Sequence, residues 1–426
     1  MIVRGAVLRE MGLPSPYAVS RPLTIEDIEL APPGPGELLV RIRAAGLCHS
    51  DLSVIDGSRP RVMPMLLGHE ATGEVIQSES PDFTLGDTVS FAFVPACGTC
   101  PPCAEGRPAL CEPGAAANTA GTLLSGERRL APAPAAADGP RPTTAPPGGS
   151  SSPAGERRTG DTAGALLSGE RRLAASGGGS SPSGAPGSSH VHHHLGVSGF
   201  ADHAVVSARS AVKIDSELPP EIAALFGCAV MTGVGAVVNT ARVQAGQSAV
   251  VFGLGGVGLS ALLGAALVGA NPLVAVDVVP QKLELALSLG ATHAIDARGN
   301  DTVGQIREAT DGGAHYAFET VGSAAVLAQA YAATRRGGTT VTVGLPHPSQ
   351  TLSIPAVSLV AEERTLKGSY LGSAVPSRDI PRYIALYRAG RLPVDRLLTS
   401  TVGLDDLNEA FDTLASGTAI RQVLVF

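Results

Sequence analysis

Tryptophan is absent from this 426-residue chain, and aromatic residues make up only 4% of it. Long apolar runs are also missing, because the longest, over residues 259–270, is interrupted by glycine and is too short to span a bilayer. The chain has no block of basic residues, and its net charge is −7. These absences argue against a membrane protein and against nucleic acid or an anionic membrane as a partner. The N-terminus lacks the apolar core of a signal peptide, so we expect a cytoplasmic location.

Cysteine is scarce, yet four of the six cysteines fall within fifteen residues. They are Cys97, Cys100, Cys103 and Cys111. This spacing lets one loop place four thiolates around a single Zn²⁺, and a reducing compartment favours a metal over disulfides. A disulfide knot or a chance cluster of buried thiols is the alternative. Because four sulfur ligands leave no position for a substrate, we predict a structural zinc here.

The composition changes to alanine, proline, glycine and serine over about residues 114–190. Such a segment buries too little apolar surface to offset the entropy of ordering, so we expect a largely disordered insertion. It contains two near-identical copies, residues 121–131 and 164–174, which differ at one position. Two copies are too few for a solenoid. We interpret them as a partial duplication that lengthened a surface loop, with a partner-binding arm as the alternative.

A histidine-rich tract follows the insertion, with histidines at positions 190, 192, 193 and 194. Consecutive residues of an extended segment alternate between two faces, so these side chains cannot all bind one ion. The simpler interpretation is a loop that re-enters the fold with one or two ring contacts. A metal-ligand cluster is the alternative.

The C-terminal half switches to alternating apolar strands and helices. Residues 248–252 predict a strand that runs into a glycine-rich turn at 253–258 and then an apolar helix over 259–268. The next strand ends in Asp277, 19 residues after Gly258. This order is typical of the dinucleotide-binding βαβ unit of a parallel, doubly wound sheet.

Each glycine of the turn has a physical role toward the pyrophosphate of a dinucleotide. Gly253 makes the turn, Gly255 lets backbone N–H groups approach the phosphates, and Gly258 lets the helix pack on the strand. Asp277 would accept hydrogen bonds from the adenosine ribose and repel a 2′-phosphate, which favours NAD over NADP. Lys282 is a candidate contact to the same ribose, and an exposed helix lysine is the alternative.

A second metal site can be assembled from the remaining cysteines, Cys48 and Cys228, together with His69. Two thiolates and one imidazole would leave a fourth tetrahedral position for water or substrate, as in a catalytic zinc site. A buried cysteine is more often a small apolar residue, so the spacing alone leaves both interpretations open.

Taken together, these motifs resemble the zinc-dependent alcohol dehydrogenases of the medium-chain dehydrogenase/reductase family. The matching stretches cover nearly all of the chain outside the insertion, and they are GLCHSD at 46–51, GHE at 68–70, the loop at 97–111, GC at 227–228, TG at 232–233, VFGLGGVGLS at 251–260 and AIRQVLVF at 419–426. The resemblance implies an α/β fold with two domains. A GroES-like, β-rich catalytic domain would comprise residues 1–229 and 371–426, and a Rossmann NAD-binding domain would comprise residues 230–370.

The resemblance also implies roles for individual residues. Cys48, His69 and Cys228 match the ligands of a catalytic zinc, which gives two Zn²⁺ per chain. Glu70 matches a carboxylate near that metal, Asp51 matches the group that orients the histidine, and Ser50 matches the hydroxyl that takes the proton of the alcohol. The implied cofactor contacts also include His49, Thr232, Gly256, Val257 and Arg421. The implied substrate-pocket residues are Phe93, His194 and Leu345.

One departure from the family pattern concerns the proton relay. Ser53 stands where several family members have a histidine, and a serine cannot act as a base at neutral pH. We therefore hypothesise that His194 polarises the pocket or takes over part of the relay. A partly solvated pocket wall is the alternative.

The expected function is the reversible, NAD-dependent oxidation of a primary alcohol, aromatic or medium-chain, to its aldehyde. The resemblance also implies a homodimer or homotetramer. Two alternatives stay open, namely a formaldehyde dehydrogenase that acts on a thiol adduct and a zinc-stabilised NAD-binding sensor without catalysis. A zinc-ribbon nucleic-acid binder would require a basic face, which the acidic balance disfavours.

Overall fold

The structure, a computed structural model, describes residues 1–134 and 190–426. In chain order, the strands are β1 Ile2–Leu8, β2 Leu23–Leu30, β3 Glu37–Gly46, β4 Met65–Leu66, β5 Glu70–Ser78, β6 Thr88–Phe91, β7 Leu130–Pro132, β8 His192–His193, β9 His203–Ser207, β10 Ala211–Lys213, β11 Ala249–Phe252, β12 Leu273–Asp277, β13 His293–Asp296, β14 Ala314–Glu319, β15 Thr334–Thr342, β16 Thr365–Gly368, β17 Leu398–Val402 and β18 Arg421–Val425. The helices are α1 Tyr17–Ser20, α2 His49–Ile55, α3 Pro101–Ala104, α4 Glu112–Ala120, α5 Pro220–Ala223, α6 Ala229–Gly235, α7 Gly256–Leu267, α8 Pro280–Ser288, α9 Thr302–Ala309, α10 Ala324–Ala333, α11 Ala356–Ala361, α12 Pro376–Arg388 and α13 Leu407–Ala415.

Two mostly antiparallel sheets are built from the strands that flank the dinucleotide-binding region. Within the described residues, one sheet has the order β7-β2-β1-β4-β8, and the other has the order β10-β6-β5-β3-β18-β17 with β9 also paired to β3. Strand β3 shows the alternation that its sequence predicts, because Val40 and Ile42 are buried whereas Arg41 and Arg43 are exposed. Strand β18 pairs antiparallel with β3, so the last strand of the sequence joins the sheet that carries the first predicted metal ligand.

The third sheet is parallel throughout the described strands, in the order β13-β12-β11-β14-β15-β16. Strand β11 is fully buried, as expected for a strand covered by helices on both faces. The strand order reverses between β11 and β14, and such a switch point is where open α/β sheets bind ligands. The predicted α/β class with a doubly wound parallel sheet is therefore confirmed. Helix α7 begins at Gly256, three residues before the predicted start, because the glycine turn itself provides its first residues.

The predicted disordered insertion is corrected over residues 114–134. Helix α4 and strand β7 lie there, and the side chains of Leu123 and Leu130 are buried. Ser125 Oγ donates a hydrogen bond to Glu37 Oε1 at 2.7 Å, and Arg129 Nε donates to Glu37 Oε2 at 2.8 Å. The first copy of the repeat is thus docked on the fold. The second copy and the rest of the predicted insertion up to residue 189 lie outside the described residues.

Apolar helices in the described ranges belong to the core. No single helix there is long and apolar enough to span a membrane. The pair Pro220–Gly227 and Ala229–Ala241 passes the same test of length and composition, but it is bent by 48° and consists largely of buried residues.

Candidate active site

A cavity of about 440 Å³ lies where the glycine turn after β11 faces helix α2. It brings together residues that are far apart in the sequence. The predicted residues among those lining it are Cys48, His49, Ser50, Phe93, Cys228, Thr232, Gly253, Gly255, Gly256, Val257, Gly258, Asp277, Lys282, Leu345 and Arg421. Two of the three candidate metal ligands, Cys48 and Cys228, therefore line the same cavity as the candidate dinucleotide site.

A buried group of metal-ligating side chains lies at one end of this cavity. The ligand atoms of Cys48, His69, Glu70 and Cys228 all lie within 4.8 Å of one another, and all four side chains are buried. Cys48 precedes the first turn of α2, and Cys228 precedes the first turn of α6. Two sulfurs and one imidazole nitrogen are ligands that Zn²⁺ prefers. The sequence left open whether these residues are metal ligands or isolated buried side chains. In the structure their donor atoms converge on one point.

The two thiols of this group influence each other's ionisation. A hydrogen bond from Cys228 holds the pKa of Cys48 well below its ordinary value, and the same contact with Cys48 raises the pKa of Cys228 well above it. Two buried thiolates at this distance repel each other unless a cation lies between them. The donor set therefore fits a bound divalent metal.

Asp51 holds the imidazole of His69 from the side opposite the thiols. Asp51 Oδ1 lies 3.1 Å from His69 Nδ1, and Cys228 Sγ lies 3.5 Å from His69 Nε2. Burial raises the pKa of Asp51, but its histidine neighbours lower it further, and the net pKa is below the ordinary value. The ionised carboxylate fixes the tautomer with a proton on Nδ1, which leaves Nε2 free to bind a metal.

His194 does not lie where the sequence predicted it. Its side chain is 1% exposed, it is not among the residues that line the cavity, and its Nδ1 lies 3.0 Å from Asp51 Oδ1. The reason is a tight turn, since Leu195, Gly196 and Ser198 all have positive φ. The prediction that His194 is a substrate-pocket residue is therefore corrected.

The other described histidines of the tract have separate partners. Arg128 Nε donates to His192 Nδ1 at 3.4 Å, and the backbone N–H of Arg129 donates to His193 Nε2 at 3.2 Å. Both contacts come from the docked first copy of the repeat. The interpretation of this tract as a loop re-entering the fold with ring contacts agrees with this arrangement.

Glu70, a member of the metal-ligating group, forms a buried ion pair with Arg421. Arg421 Nη1 lies 3.4 Å from Glu70 Oε2 and donates a hydrogen bond to the Leu47 carbonyl at 2.9 Å. Burial raises the pKa of Glu70 to about 7. The guanidinium also lies against Gly256, where a β-carbon would overlap it. Arg421 is thus placed between the metal-ligating group and the N-terminus of α7, where an anion is favoured.

The dinucleotide end of the cavity has its acidic residue fixed by the backbone. Asp277 Oδ2 accepts a hydrogen bond from Leu254 N at 2.6 Å, and Oδ1 accepts from Val278 N and Val279 N. Lys282 is only 7% exposed and lines the cavity, and burial lowers its pKa. The alternative of an exposed helix lysine is therefore excluded.

The serines of the predicted relay both line the cavity. Ser53 Oγ donates to the Ser50 carbonyl at 3.0 Å, so its proton is engaged with the backbone of its own helix. Sequence reasoning missed Arg59, which lines the cavity and whose Nη2 lies 3.5 Å from the Leu345 carbonyl. The only sequence signal for Arg59 is its place in a polar loop just after the helix that carries Ser50.

The four-cysteine loop forms a separate group near helix α3. The four sulfur atoms lie within 4.8 Å of one another, and all six cysteines of the chain are free thiols. Backbone N–H groups of Thr99 and Cys100 lower the pKa of Cys97 to about 6, whereas burial raises the pKa of Cys103 to about 12. A tetrathiolate set of this kind fits a closed structural zinc site.

Comparison with known proteins agrees with this geometry. The profile of the alcohol dehydrogenase GroES-like domain matches residues 34–136, and that of the zinc-binding dehydrogenase domain matches residues 256–389. The NDMA-dependent alcohol dehydrogenase of Amycolatopsis methanolica is 36% identical over 96% of this chain and 97% of its own length. The geraniol dehydrogenase of Castellaniella defragrans is 35% identical over 99% of this chain and 97% of its own length.

Solved structures of zinc-type dehydrogenases are similar to this chain over its whole length. An alcohol dehydrogenase zinc-binding domain protein from Burkholderia ambifaria superposes with a TM-score of 0.82 at 33% identity, over 100% of this chain and 99% of its own. The benzyl alcohol dehydrogenase of Acinetobacter calcoaceticus gives a TM-score of 0.81 at 28% identity, with the same coverage. These matches confirm the GroES-like and Rossmann-type parts of the fold. The chain belongs to the zinc-dependent alcohol dehydrogenases of the medium-chain dehydrogenase/reductase family, and it is an oxidoreductase that uses zinc and a nicotinamide cofactor.

Proposed function

We propose that the chain oxidises primary alcohols with aromatic or medium-chain groups to aldehydes, with NAD as the acceptor, and that it catalyses the reverse reaction. The observation that carries this proposal is the cavity lined by both the glycine turn and the two thiols, Cys48 and Cys228, whose sulfur atoms lie within 4.8 Å of the His69 imidazole. The names of two relatives, a geraniol dehydrogenase and a benzyl alcohol dehydrogenase, support substrates of this class.

In the proposed mechanism Cys48, His69 and Cys228 would hold a zinc ion. When bound, zinc supplies Lewis-acid chemistry that lowers the pKa of an alcohol. Asp51 keeps the His69 ring oriented, and the Ser50 hydroxyl accepts the proton of the alcohol while it releases its own. The Ser53 hydroxyl is engaged with the Ser50 carbonyl and cannot act as a base, so the proton that Ser50 releases passes to solvent through the cavity.

The preference for NAD follows from the groups at the dinucleotide end. The Asp277 carboxylate, held by three backbone N–H groups, would repel a 2′-phosphate and bind the ribose hydroxyls. Lys282 would contact the same ribose. Arg421 and the N-terminus of α7 would bind the pyrophosphate, together with His49 and Thr232. Such contacts would direct the nicotinamide toward the metal-ligating group.

Aromatic rings next to the metal-ligating group favour aromatic or extended apolar alcohols. The ring of Phe93 lies edge-on to His69 with centroids 5.5 Å apart, and the ring of Tyr370 lies 5.9 Å from Phe93. Edge-to-face contacts of this kind suit another planar ring. Leu345, which is 51% exposed, adds an apolar wall.

The test is metal analysis of the purified chain together with NAD-coupled turnover on a panel of primary alcohols. We expect two zinc ions per chain and activity with benzyl and medium-chain alcohols. Cys228→Ser should retain one zinc and the fold, and should lose hydride transfer. One zinc in the wild-type chain, or no NADH with any alcohol of the panel, would overturn the proposal.

A second candidate function is oxidation of a formaldehyde–thiol adduct, and Arg59 is the observation that favours it. A cationic side chain on the cavity wall could bind a carboxylate of the thiol carrier. Comparison of S-hydroxymethylglutathione with benzyl alcohol tests this candidate. If Arg59→Ala lowers kcat/KM about tenfold for the adduct alone, the second candidate holds; if the adduct is not oxidised, it fails.

We also propose a homodimer or homotetramer in the cytoplasm. Strand β16 lies at the edge of the described parallel sheet, and helix α11, which precedes it in the chain, exposes Val357 (72%) and Val360 (83%). An open sheet edge next to apolar side chains suits pairing with a second copy. Val360→Glu should lower the solution mass, whereas Leu85→Glu, at another exposed apolar residue, should not.

A further inference from the structure

We propose that His194 is a positioning residue for the zinc ligand His69, and that it acts through Asp51. This inference rests on the proposed function, because it assumes that His69 binds the catalytic metal. His194 neither lines the cavity nor contacts a substrate position. Its effect is therefore on the metal site and not on alcohol binding.

The geometry around Asp51 carries the inference. Oδ1 lies 3.0 Å from His194 Nδ1 and 3.1 Å from His69 Nδ1, and it accepts a hydrogen bond from Gly68 N at 3.2 Å. Oδ2 accepts from Cys48 N at 3.3 Å. Asp51 is 0% exposed, so these protein groups replace water around the charge. Loss of one of them leaves a buried carboxylate with a missing partner, which is costly.

His69 is also held sterically between two rings. The His194 ring lies edge-on to it with centroids 5.4 Å apart and an interplanar angle of 88°, and Phe93 contacts it at 5.5 Å. His194 thus contacts both the ligand and the carboxylate that orients the ligand. The turn after His194 fixes this placement, because Ser198 Oγ accepts a hydrogen bond from the His194 backbone N–H at 3.0 Å.

The consequence for metal binding follows from the direction of His69 Nε2. Asp51 holds Nδ1 of the His69 ring and so directs Nε2 toward the two thiols. If the Asp51 carboxylate rotates, the His69 ring is no longer held in this orientation. The buried His194 side chain limits this freedom, because its Nδ1 lies 3.0 Å from the same carboxylate oxygen that holds His69. Groups that orient a metal ligand in this way change metal affinity about 10–100-fold when they are removed. His194 acts through Asp51 and is therefore one residue further from the metal. We expect its removal to weaken zinc affinity at the lower end of this range, about tenfold.

Two variants separate the polar contact from the ring. His194→Phe keeps an aromatic ring and removes the Nδ1 nitrogen that lies 3.0 Å from Asp51 Oδ1, whereas His194→Asn keeps a polar side-chain amide near the same position and removes the ring. We expect His194→Phe to bind the second zinc about tenfold more weakly in a chelator competition and to alter the visible spectrum of the cobalt-substituted site. His194→Asn should restore both properties largely. Turnover should fall in kcat for His194→Phe, with little change in the KM for alcohol.

A packing role would give the opposite order, with His194→Phe like wild type and His194→Asn impaired, and that result would overturn the proposal. His192→Phe is the matched control in the same tract, and it should leave zinc affinity unchanged because the ring of His192 contacts Arg128. Cys228→Ser separates a failure of the proposed metal site from a failure of the role of His194. If Cys228→Ser keeps both zinc ions, the proposed metal site is wrong. If Cys228→Ser loses one zinc ion while His194→Phe binds both with wild-type affinity, only the role of His194 is wrong.

Discussion

Gly258 lies directly against the carbonyl oxygen of Gly253, and no β-carbon fits between them. The obstacle is backbone, which cannot rotate away as a side chain can. We therefore expect Gly258→Ala to lower the free energy of unfolding of the apo chain, by about 1–3 kcal/mol. Denaturant unfolding without cofactor measures this effect.

Gly255 is the matched control in the same turn, because a β-carbon there would meet nothing within 4 Å. Gly255→Ala should leave apo stability unchanged but weaken NAD binding, since the added methyl group stands where the phosphates approach. Equal loss of stability in both variants would contradict this division of roles.

The Asp277 carboxylate should determine the choice between NAD and NADP. Asp277→Asn keeps the shape but removes the negative charge, so the preference for NAD in kcat/KM should fall roughly tenfold, equivalent to about 1.4 kcal/mol. Asp296, its neighbour in register on β13, is the control. If Asp296→Asn changed cofactor preference as much as Asp277→Asn, the assignment of Asp277 would be wrong.

His193 should make stability depend on pH. Burial lowers the pKa of His193 to about 3, against about 6.5 for an unfolded histidine. The unfolded chain therefore binds a proton as the pH falls below 6.5, while the folded chain does not until about pH 3. The contribution of His193 to the free energy of unfolding is fully present above about pH 6.5 and is lost as the pH falls toward 3. Between pH 7.5 and pH 5.0 the loss is about 2 kcal/mol.

The measurement for His193 is urea unfolding at these two pH values. His193→Gln should lose less stability on acidification than wild type, because the glutamine does not titrate. His347→Gln, at an exposed histidine, should follow wild type. Parallel losses in all three chains would contradict the prediction.

The ion pair of Glu37 with Arg129 should anchor the first copy of the repeat. Glu37 is nearly buried and Arg129 is about one-fifth exposed, so Arg129→Ala should cost about 2 kcal/mol in the free energy of unfolding. Arg172 is the corresponding residue of the second copy. Arg172→Ala should have no effect, and the reverse order of the two variants would mean that the second copy binds Glu37.

The four-cysteine loop should affect stability more than chemistry. Cys103→Ser should remove one zinc and lower the melting temperature by several degrees, because a structural zinc contributes binding free energy to folding. The remaining folded fraction should keep its kcat per catalytic zinc. Unchanged stability with lost turnover would reverse the assignment of the two metal sites.

Local chemistry explains which parts could be predicted from the sequence. The glycine turn and the four-cysteine loop each lie within a few consecutive residues. The spacing of their glycines or cysteines was therefore enough to predict a dinucleotide-binding turn and a metal-binding loop. Cys48, His69 and Cys228 converge through tertiary structure, and the resemblance was needed to favour them over isolated buried residues. His194 was misplaced because its direction depends on positive φ angles after it, at residues including leucine and serine, which the pattern does not reveal.

The docking of residues 121–132 was missed for a different reason. Composition predicted disorder from about residue 114, but two leucines and one buried glutamate partner are enough to order a short segment on an existing surface. Arg59 was missed because a single arginine in a polar loop has no periodic or spacing signal. Its place on the cavity wall depends on how two distant parts of the chain meet.

The fold constrains Gly121, the first residue of the first copy of the repeat, and this constraint bears on how the two copies evolve. Gly121 has a left-handed backbone at the end of α4, and a β-carbon there would overlap His192, so this position is constrained by the fold. The second copy retains glycine at the corresponding Gly164, and ten of the eleven paired positions are identical. A duplication copies such constraints together with the sequence, whether or not the new copy needs them. Drift at Gly164 but not at Gly121 among descendants of this gene would therefore show which copy selection maintains.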